Sequence, residues 1–319
     1  MQTSGATTGA RAPAPGTHGV ATSEAPATVA RVPSRLEFLQ PIHGLLNILH
    51  VLATHALLLV WFWLGARWLP LTAYVPLTLV ACLIHQRAMS EWIHEGAHSN
   101  LVRDRRLNDV LTDVLTGVWF GVTVDAYRST HLPHHAKDGF FVADDEDTDF
   151  LAVDSRRAFR RAVLADLSGL TVLRQYGRFK AGVGARRSGW LVLTAAVQLA
   201  VLASAWTLGR LDAYLCYYGS LGLLYPLLNR LRVYGQHVTI GPDGLSGVAG
   251  STTSRTIDAG LADRILFTSP RLLYHHEHHR WPHLPYRALR DLCAPCADVN
   301  RYSRSRTGVL RAVYAGLSR

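Results

Sequence analysis

Residues 45–66 read LLNILHVLATHALLLVWFWLGA, 22 positions without one charged side chain. As an α-helix this stretch spans ~33 Å, the thickness of a bilayer's hydrocarbon core. His50 and His55 interrupt it and are expected to face neighbouring helices rather than lipid. After a short turn at Arg67–Pro70 a second apolar run begins at about Leu71, reaches Ile84 and continues without a break towards His94. A short turn followed by a long helix predicts a transmembrane hairpin whose inner end projects beyond the bilayer. A third run, about Trp190 to Leu208, and a fourth, about Ala213 to Leu228, meet across Gly209-Arg210-Leu211-Asp212 and predict a second hairpin of the same kind.

Four spans return the chain to its starting side. The segment between the hairpins holds Arg103, Arg105, Arg106, Arg156, Arg157, Arg160, Arg161, Arg186 and Arg187, whereas the two outer turns offer only Arg67 and Arg210. Arginine collects on cytoplasmic loops, so the central segment and both termini are expected in the cytoplasm. Residues 107–122, LNDVLTDVLTGVWFGV, are amphipathic but short for a span. They read as an interfacial or re-entrant helix with Trp119 and Phe120 at headgroup depth. The predicted fold is therefore all-α and integral to a membrane, with four transmembrane helices in two hairpins and a cytoplasmic helical cap.

Three histidine clusters follow the ends of these runs: His94-Glu-Gly-Ala-His98, His131-Leu-Pro-His134-His135 and His275-His-Glu-His278-His279. Residues three and four apart share a helix face, so each cluster aims imidazoles at a common point. Neutral imidazoles converging in this way make sense as metal ligands, and spacing alone accepts iron, zinc or copper. Glu95 and Glu277 adjoin the clusters and are candidate partners for the free imidazole N–H groups; an acidic run, Asp144 to Asp149, follows the second. His85 lies nine residues before His94, half a turn out of phase, and is expected to point away. His276, His283, His18 and His43 have no such constellation.

The order and spacing of these clusters resemble the membrane fatty acid desaturase family. The third one is the most telling, because Tyr274-His275-His276-Glu277-His278-His279-Arg280-Trp281-Pro282 keeps the family's register of Tyr, H-x-x-H-H, a bulky residue and Pro. The resemblance covers roughly residues 45–290. It implies a di-iron oxidoreductase with two iron ions, O2 as co-substrate and the acyl chain of a lipid or carrier-bound fatty acid as substrate. The implied ligands are His94, His98, His131, His134, His135, His275, His278 and His279. A further ligand commonly sits just past the fourth span, which points to His237; Gln236 stands where the family often has an acidic residue. No catalytic residue separate from these ligands is expected.

Composition fits this picture. Of 319 residues, 49% are hydrophobic and only 18% charged, apolar for a soluble protein, and the net charge of +10 needs no nucleic acid to explain it. The four cysteines form no disulfide framework, and Cys293-Ala-Pro-Cys296 is a lone C-x-x-C without a second half. Residues 1–34 are too poor in large apolar side chains to order themselves and are expected to be a tail without a signal sequence. Residues 35–300 form the desaturase-like domain, and 301–319 a C-terminal cytoplasmic tail. The expected location is the inner (cytoplasmic) membrane, crossed several times, with the site facing the cytoplasm. No cytochrome b5-like stretch is recognisable, so electrons are expected from a separate ferredoxin-type protein with its reductase. Arg156, Arg157, Arg160 and Arg161, paired at i, i+4, are the expected docking face, the alternative being that they only follow the positive-inside bias or bind anionic lipid headgroups. Hydroxylation, ketolation or epoxidation on the same scaffold remains open at this level. A non-enzymatic metal-binding membrane protein is disfavoured, because transporters hold ions at the bilayer midplane rather than at helix ends.

Overall fold

The computed structural model describes residues 34–135, 150, 153, 155–181, 188–241, 244–245 and 254–318. The N-terminal tail through residue 33, the acidic run 144–149, Arg186 and Arg187 lie outside the described residues. After a short helix α1 (Arg35–Phe38), the hairpin is formed by α2 (Pro41–Trp68) and α3 (Leu71–Ala97). Pro41 starts α2 where a missing N–H costs nothing, and His43 Nδ1 accepts the Gln40 N–H of the cap. The helix stops at Leu69, whose extended backbone leads into Pro70. Helix α2 turns Asn47, Val51 and Leu58 inward and leaves Leu57, Leu59, Val60 and Trp63 exposed, the reverse of a soluble helix.

Chain order then gives α4 (Arg105–Thr112), a π turn (Asp113–Gly117), the single turn α5 (Val118–Phe120) and α6 (Val124–His134). Helices α7 (Arg156–Leu167) and α8 (Leu170–Ala181) lead to the second hairpin. Its first arm is α9 (Ser188–Thr207). Its second is α10 (Leu211–Gly219), a second π turn (Ser220–Leu224) and α11 (Tyr225–His237). Arg210, in the turn of the second hairpin, donates to the Tyr74 hydroxyl at the start of α3, at 2.5 Å, and so ties the two hairpin turns together.

Among the described residues, two helices are long and apolar enough to cross a membrane, Pro41–Trp68 and Gly189–Thr207. The other two apolar runs are helical but are not uniform apolar rods. Helix α3 is apolar in its N-terminal half and then carries buried Gln86, Arg87, Glu91, His94 and Glu95. The fourth run is split by its π turn.

Residues 107–122, read as one helix, are in fact bent by the first π turn and stopped at Gly121, whose φ of 67° a side-chain-bearing residue rarely adopts. The turn leaves Leu115 C=O to accept from His55 Nε2 at 2.8 Å, and Trp119 packs inward on His55 and Tyr217.

Beyond α11 come the strands β1 (Ile240–Gly241), β2 (Gly244–Leu245) and β3 (Thr256–Ile257). Short helices α12 (Leu261–Leu266), α13 (Pro270–Leu273), α14 (His275–Arg280) and α15 (Tyr286–Leu292) follow. The chain closes with β4 (Tyr302–Ser303) and α16 (Arg306–Gly316). The antiparallel pair β1–β2 and the parallel pair β3–β4 are each two residues long, so the architecture is helical. Residues 301–318 are not a tail. Strand β4 pairs with β3, and Val309, Val313 and Leu317 are buried with Val233, Tyr234 and Val238. Arg306 adds a buried ion pair with Asp263. No long apolar run announces this segment, because only one face of α16 is buried.

Candidate metal centre

Four elements deliver the histidines. Helix α3 carries His94 and ends at His98, immediately before Ser99 with φ 62°. Gly96 lets α4 close on that end: a Cβ there would lie 2.3 Å from Thr112 Oγ1. Asn108 holds the contact, donating to Gly96 C=O at 2.9 Å and accepting from Leu101 N–H at 3.0 Å. Helix α6 brings His131, His134 and His135; its Arg128 donates to Ala97 C=O at 2.9 Å and pairs with Asp109 at 2.6 Å. Helix α14 brings His275, His278 and His279, and the end of α11 brings His237.

The donors fall into two groups. Ring nitrogens of His94, His98, His131, His135 and His278 all lie within 4.8 Å of one another, and those of His134, His237 and His279 do the same. His275 joins the second group through Nε2, 2.8 Å from His237 Nε2, with its ring 4.6 Å from that of His279. All nine implied positions are therefore brought together. Helix geometry explains the division. In H-x-x-H-H the first and fifth residues share a face, while the fourth is turned away by roughly 100° from the fifth. His131 and His135 thus go one way and His134 the other; His275 and His279 go one way and His278 the other.

A cation fits this arrangement and hydrogen bonding alone does not. His98 Nε2 lies 2.9 Å from His131 Nε2, which is 3.0 Å from His135 Nε2, which is 3.2 Å from His278 Nε2. A neutral imidazole nitrogen carries either one hydrogen or one lone pair, so His131 Nε2 and His135 Nε2 would each have to split it between two partners, and the three contacts cannot all be linear hydrogen bonds. Two nitrogens each ~2.1 Å from one ion at right angles would sit about 3.0 Å apart, matching what is seen. His94 is buried with both ring nitrogens lacking a hydrogen-bond partner, and the Nδ1 atoms of His135, His275 and His278 are also unpartnered. Such atoms are costly to bury unless a ligand takes them up.

Burial also sets the charge state. It holds His94, His98, His131, His135, His275, His278 and His279 well below the usual histidine range. His98 is brought to about 3, with Arg128 and neighbouring histidines adding to the effect, and His135 to about 2. Neutral rings with free lone pairs are the state that binds metal.

Around the histidines lies a set of carboxylates that spacing assigned only in part. Glu95 is buried, and burial pushes its carboxyl up to about 8 against the opposing Tyr286 N–H and Arg271. Its Oε1 lies 3.7 Å from His94 Nδ1, beyond hydrogen-bond reach. Glu277 does not serve an imidazole; its Oε2 accepts from Thr256 Oγ1 at 2.5 Å, which pins α14 to β3. The carboxylate that spacing missed is Glu91. It accepts from Arg87 at 2.9 Å and Ser269 N–H at 2.8 Å, accepts from the Ser269 hydroxyl, and faces Arg271 at 3.3 Å. Burial alone would raise its pKa, but these cations and donors hold it below the ordinary carboxylate value. Glu91 lies one turn before His94 and so locks the third cluster against the first. Its one signal in the sequence is the Arg87-x-x-x-Glu91 pair, at i, i+4 in a helix whose N-terminal half is apolar.

The remaining histidines stand apart. His85 Nε2 meets His55 Nδ1 at 2.9 Å, and its Nδ1 meets the Tyr217 hydroxyl at 3.3 Å. His276 Nδ1 meets Ser254 C=O at 2.9 Å, His283 is exposed, and His50 packs edge-on against Trp92. Cys82, Cys216, Cys293 and Cys296 are all free thiols.

The fatty acid desaturase family model matches residues 66–304, a span containing every histidine of both groups. The chain belongs to the fatty acid desaturase family. No curated protein sequence matches it. Membership makes it an oxidoreductase of lipid metabolism, and two histidine-only clusters side by side are compatible with the metal centre such an enzyme requires.

Proposed function

We propose that this protein is an O2-dependent di-iron desaturase acting on the acyl chain of a lipid or carrier-bound fatty acid. The observation that carries the reading is the division of nine buried or half-buried histidines into two adjacent groups within a fatty acid desaturase domain. His94, His98, His131, His135 and His278 would hold one iron, and His134, His237, His275 and His279 the other. Bound there, the iron pair would supply the activation of O2 that no side chain can provide. The chain's own residues do the rest. Burial keeps the imidazoles neutral and excludes bulk water, Glu91 and Arg128 fix the helices that carry them, and Asn108 fixes the end of α3. Electrons come from a ferredoxin-type protein in trans.

The chain spans the inner membrane four times with both termini and the metal centre in the cytoplasm. Helix α2 and α9 are apolar throughout, and the outer halves of α3 and of the α10–α11 arm complete the bundle. Their inner halves turn polar because they hold His94, His98 and His237. The catalytic domain runs from residue 35 to about 300, extended by α16, whose apolar face is buried against α11.

Membranes from cells expressing the chain, supplied with a saturated acyl substrate, O2 and a ferredoxin system, test the reaction. Mass spectrometry is expected to show loss of two hydrogens from the chain. Gain of one oxygen instead would make it a hydroxylase on the same scaffold.

A further inference from the structure

Helix α7 opens with Arg156, Arg157, Arg160 and Arg161, which with Leu164 line a groove of about 450 Å³. Among the described residues, none of the four meets a carboxylate. Arg156 is partly engaged, donating to Ala315 C=O at 3.2 Å and lying over the Tyr314 ring. The other three are exposed. They also sit in the first turns of a helix, the end whose partial positive charge repels cations. Four cations gathered against that field suit an anionic ligand.

A second, separate feature adjoins them. Arg157, Arg161 and Leu164 fall on one stripe at i, i+4, i+7, and beyond Leu164 come Leu167, Leu170, Leu173 and Tyr176, all exposed; Leu164 is 65% and Leu173 69% exposed. The turn between α7 and α8 is held firmly: Asp166 is buried against Arg230 at 2.6 Å and accepts from Thr171 at 2.6 Å. Gly169 in that turn, with φ 80°, sits beside Gly222 and Leu223 of the second π turn. Leu223 is itself exposed. The leucines of α7–α8 therefore continue the outward apolar face of the fourth apolar run.

We propose that α7–α8 is a membrane-interfacial hairpin and that its arginine groove binds the phosphate of an anionic phospholipid. The leucines enter the acyl boundary and the guanidiniums stay one turn higher at the phosphates. Guanidinium suits this task because its fork meets phosphate oxygens in pairs, and basic clusters on amphipathic helices bind anionic leaflets. The same arginines were the expected docking face for an acidic electron donor. The adjoining leucines favour lipid, since a face for a soluble redox partner gains nothing from apolar side chains that run on to the spanning helices. This inference rests on the membrane reading above.

The test uses the full chain with its four cysteines replaced by alanine. Nitroxide labels are placed at Leu164→Cys or, as a spanning reference, Leu199→Cys, in nanodiscs of phosphatidylcholine with or without phosphatidylglycerol. Collision with a water-soluble nickel complex and with O2 reports depth. In phosphatidylglycerol discs the 164 label is expected to be shielded from nickel and open to O2. Shielding is expected to fall in pure phosphatidylcholine and in the R157Q/R160Q/R161Q variant, while the 199 label stays immersed throughout. A 164 label open to nickel in phosphatidylglycerol discs, with 199 immersed, overturns the proposal and leaves the membrane reading intact. Shielding of residue 164 only when an acidic ferredoxin is added also overturns it and makes the groove a protein-docking site. Both labels in water would overturn the membrane reading itself and the proposal with it.

Discussion

At the scale of single residues, the two groups of histidines differ from the other histidines by what their nitrogens meet. His98→Ala, His135→Ala or His278→Ala removes one nitrogen from the five-membered group, and each is expected to abolish turnover and lower bound iron. His85→Ala and His283→Ala are expected to keep most of both, since neither residue belongs to either group. Iron analysis beside activity separates a lost ligand from a misfolded protein. Glu91→Gln leaves Arg87 and Arg271 buried without their counter-charge. That change is expected to destabilise the fold by roughly 3–5 kcal/mol, read from thermal unfolding of detergent-solubilised protein, since breaking one side of a buried pair strands the other. The candidate donors were legible because helical spacing places i and i+4 together; His237 needed the family resemblance. Glu91 was not legible as an anchor, because its partner Ser269 is 178 positions away in the chain.

At the scale of elements, the apolar runs foretold the helices closely, since an uncharged run of bilayer length has few other stable forms. What they did not show were the two π turns and the burial of α16. A π turn is one extra residue in a helical turn, and its cause here is tertiary: the first leaves Leu115 C=O for His55. Helix α16 buries one face only, and its partners Val233 and Tyr234 are far away in sequence. Close packing of α3 on α4 at Gly96 gives an element-scale prediction. Gly96→Ala would press on Thr112 at 2.3 Å. The expected loss is about 1–3 kcal/mol of stability, with His98 displaced and iron occupancy reduced. Unfolding curves alongside iron content check it; an unchanged variant would mean that α4 does not brace the end of α3.

At the scale of the molecule, the proposed four spans and the arginine bias predict a topology in which both clusters of helix ends share one side. Arg290, exposed on α15 near the third cluster, tests this. A cysteine at 290, in the cysteine-free chain, is expected to resist a membrane-impermeant maleimide in intact cells and to react once the cells are opened. Labelling from outside would place the metal centre on the wrong face for a cytoplasmic electron donor.

Nine histidines in two groups are expected to hold two irons, and metal analysis of the purified chain with Mössbauer spectroscopy is the decisive measurement. Two irons per chain, coupled to each other, are expected, with the His278→Ala variant falling clearly below that. One metal per chain, or two zinc ions retained in place of iron in active protein, would contradict it.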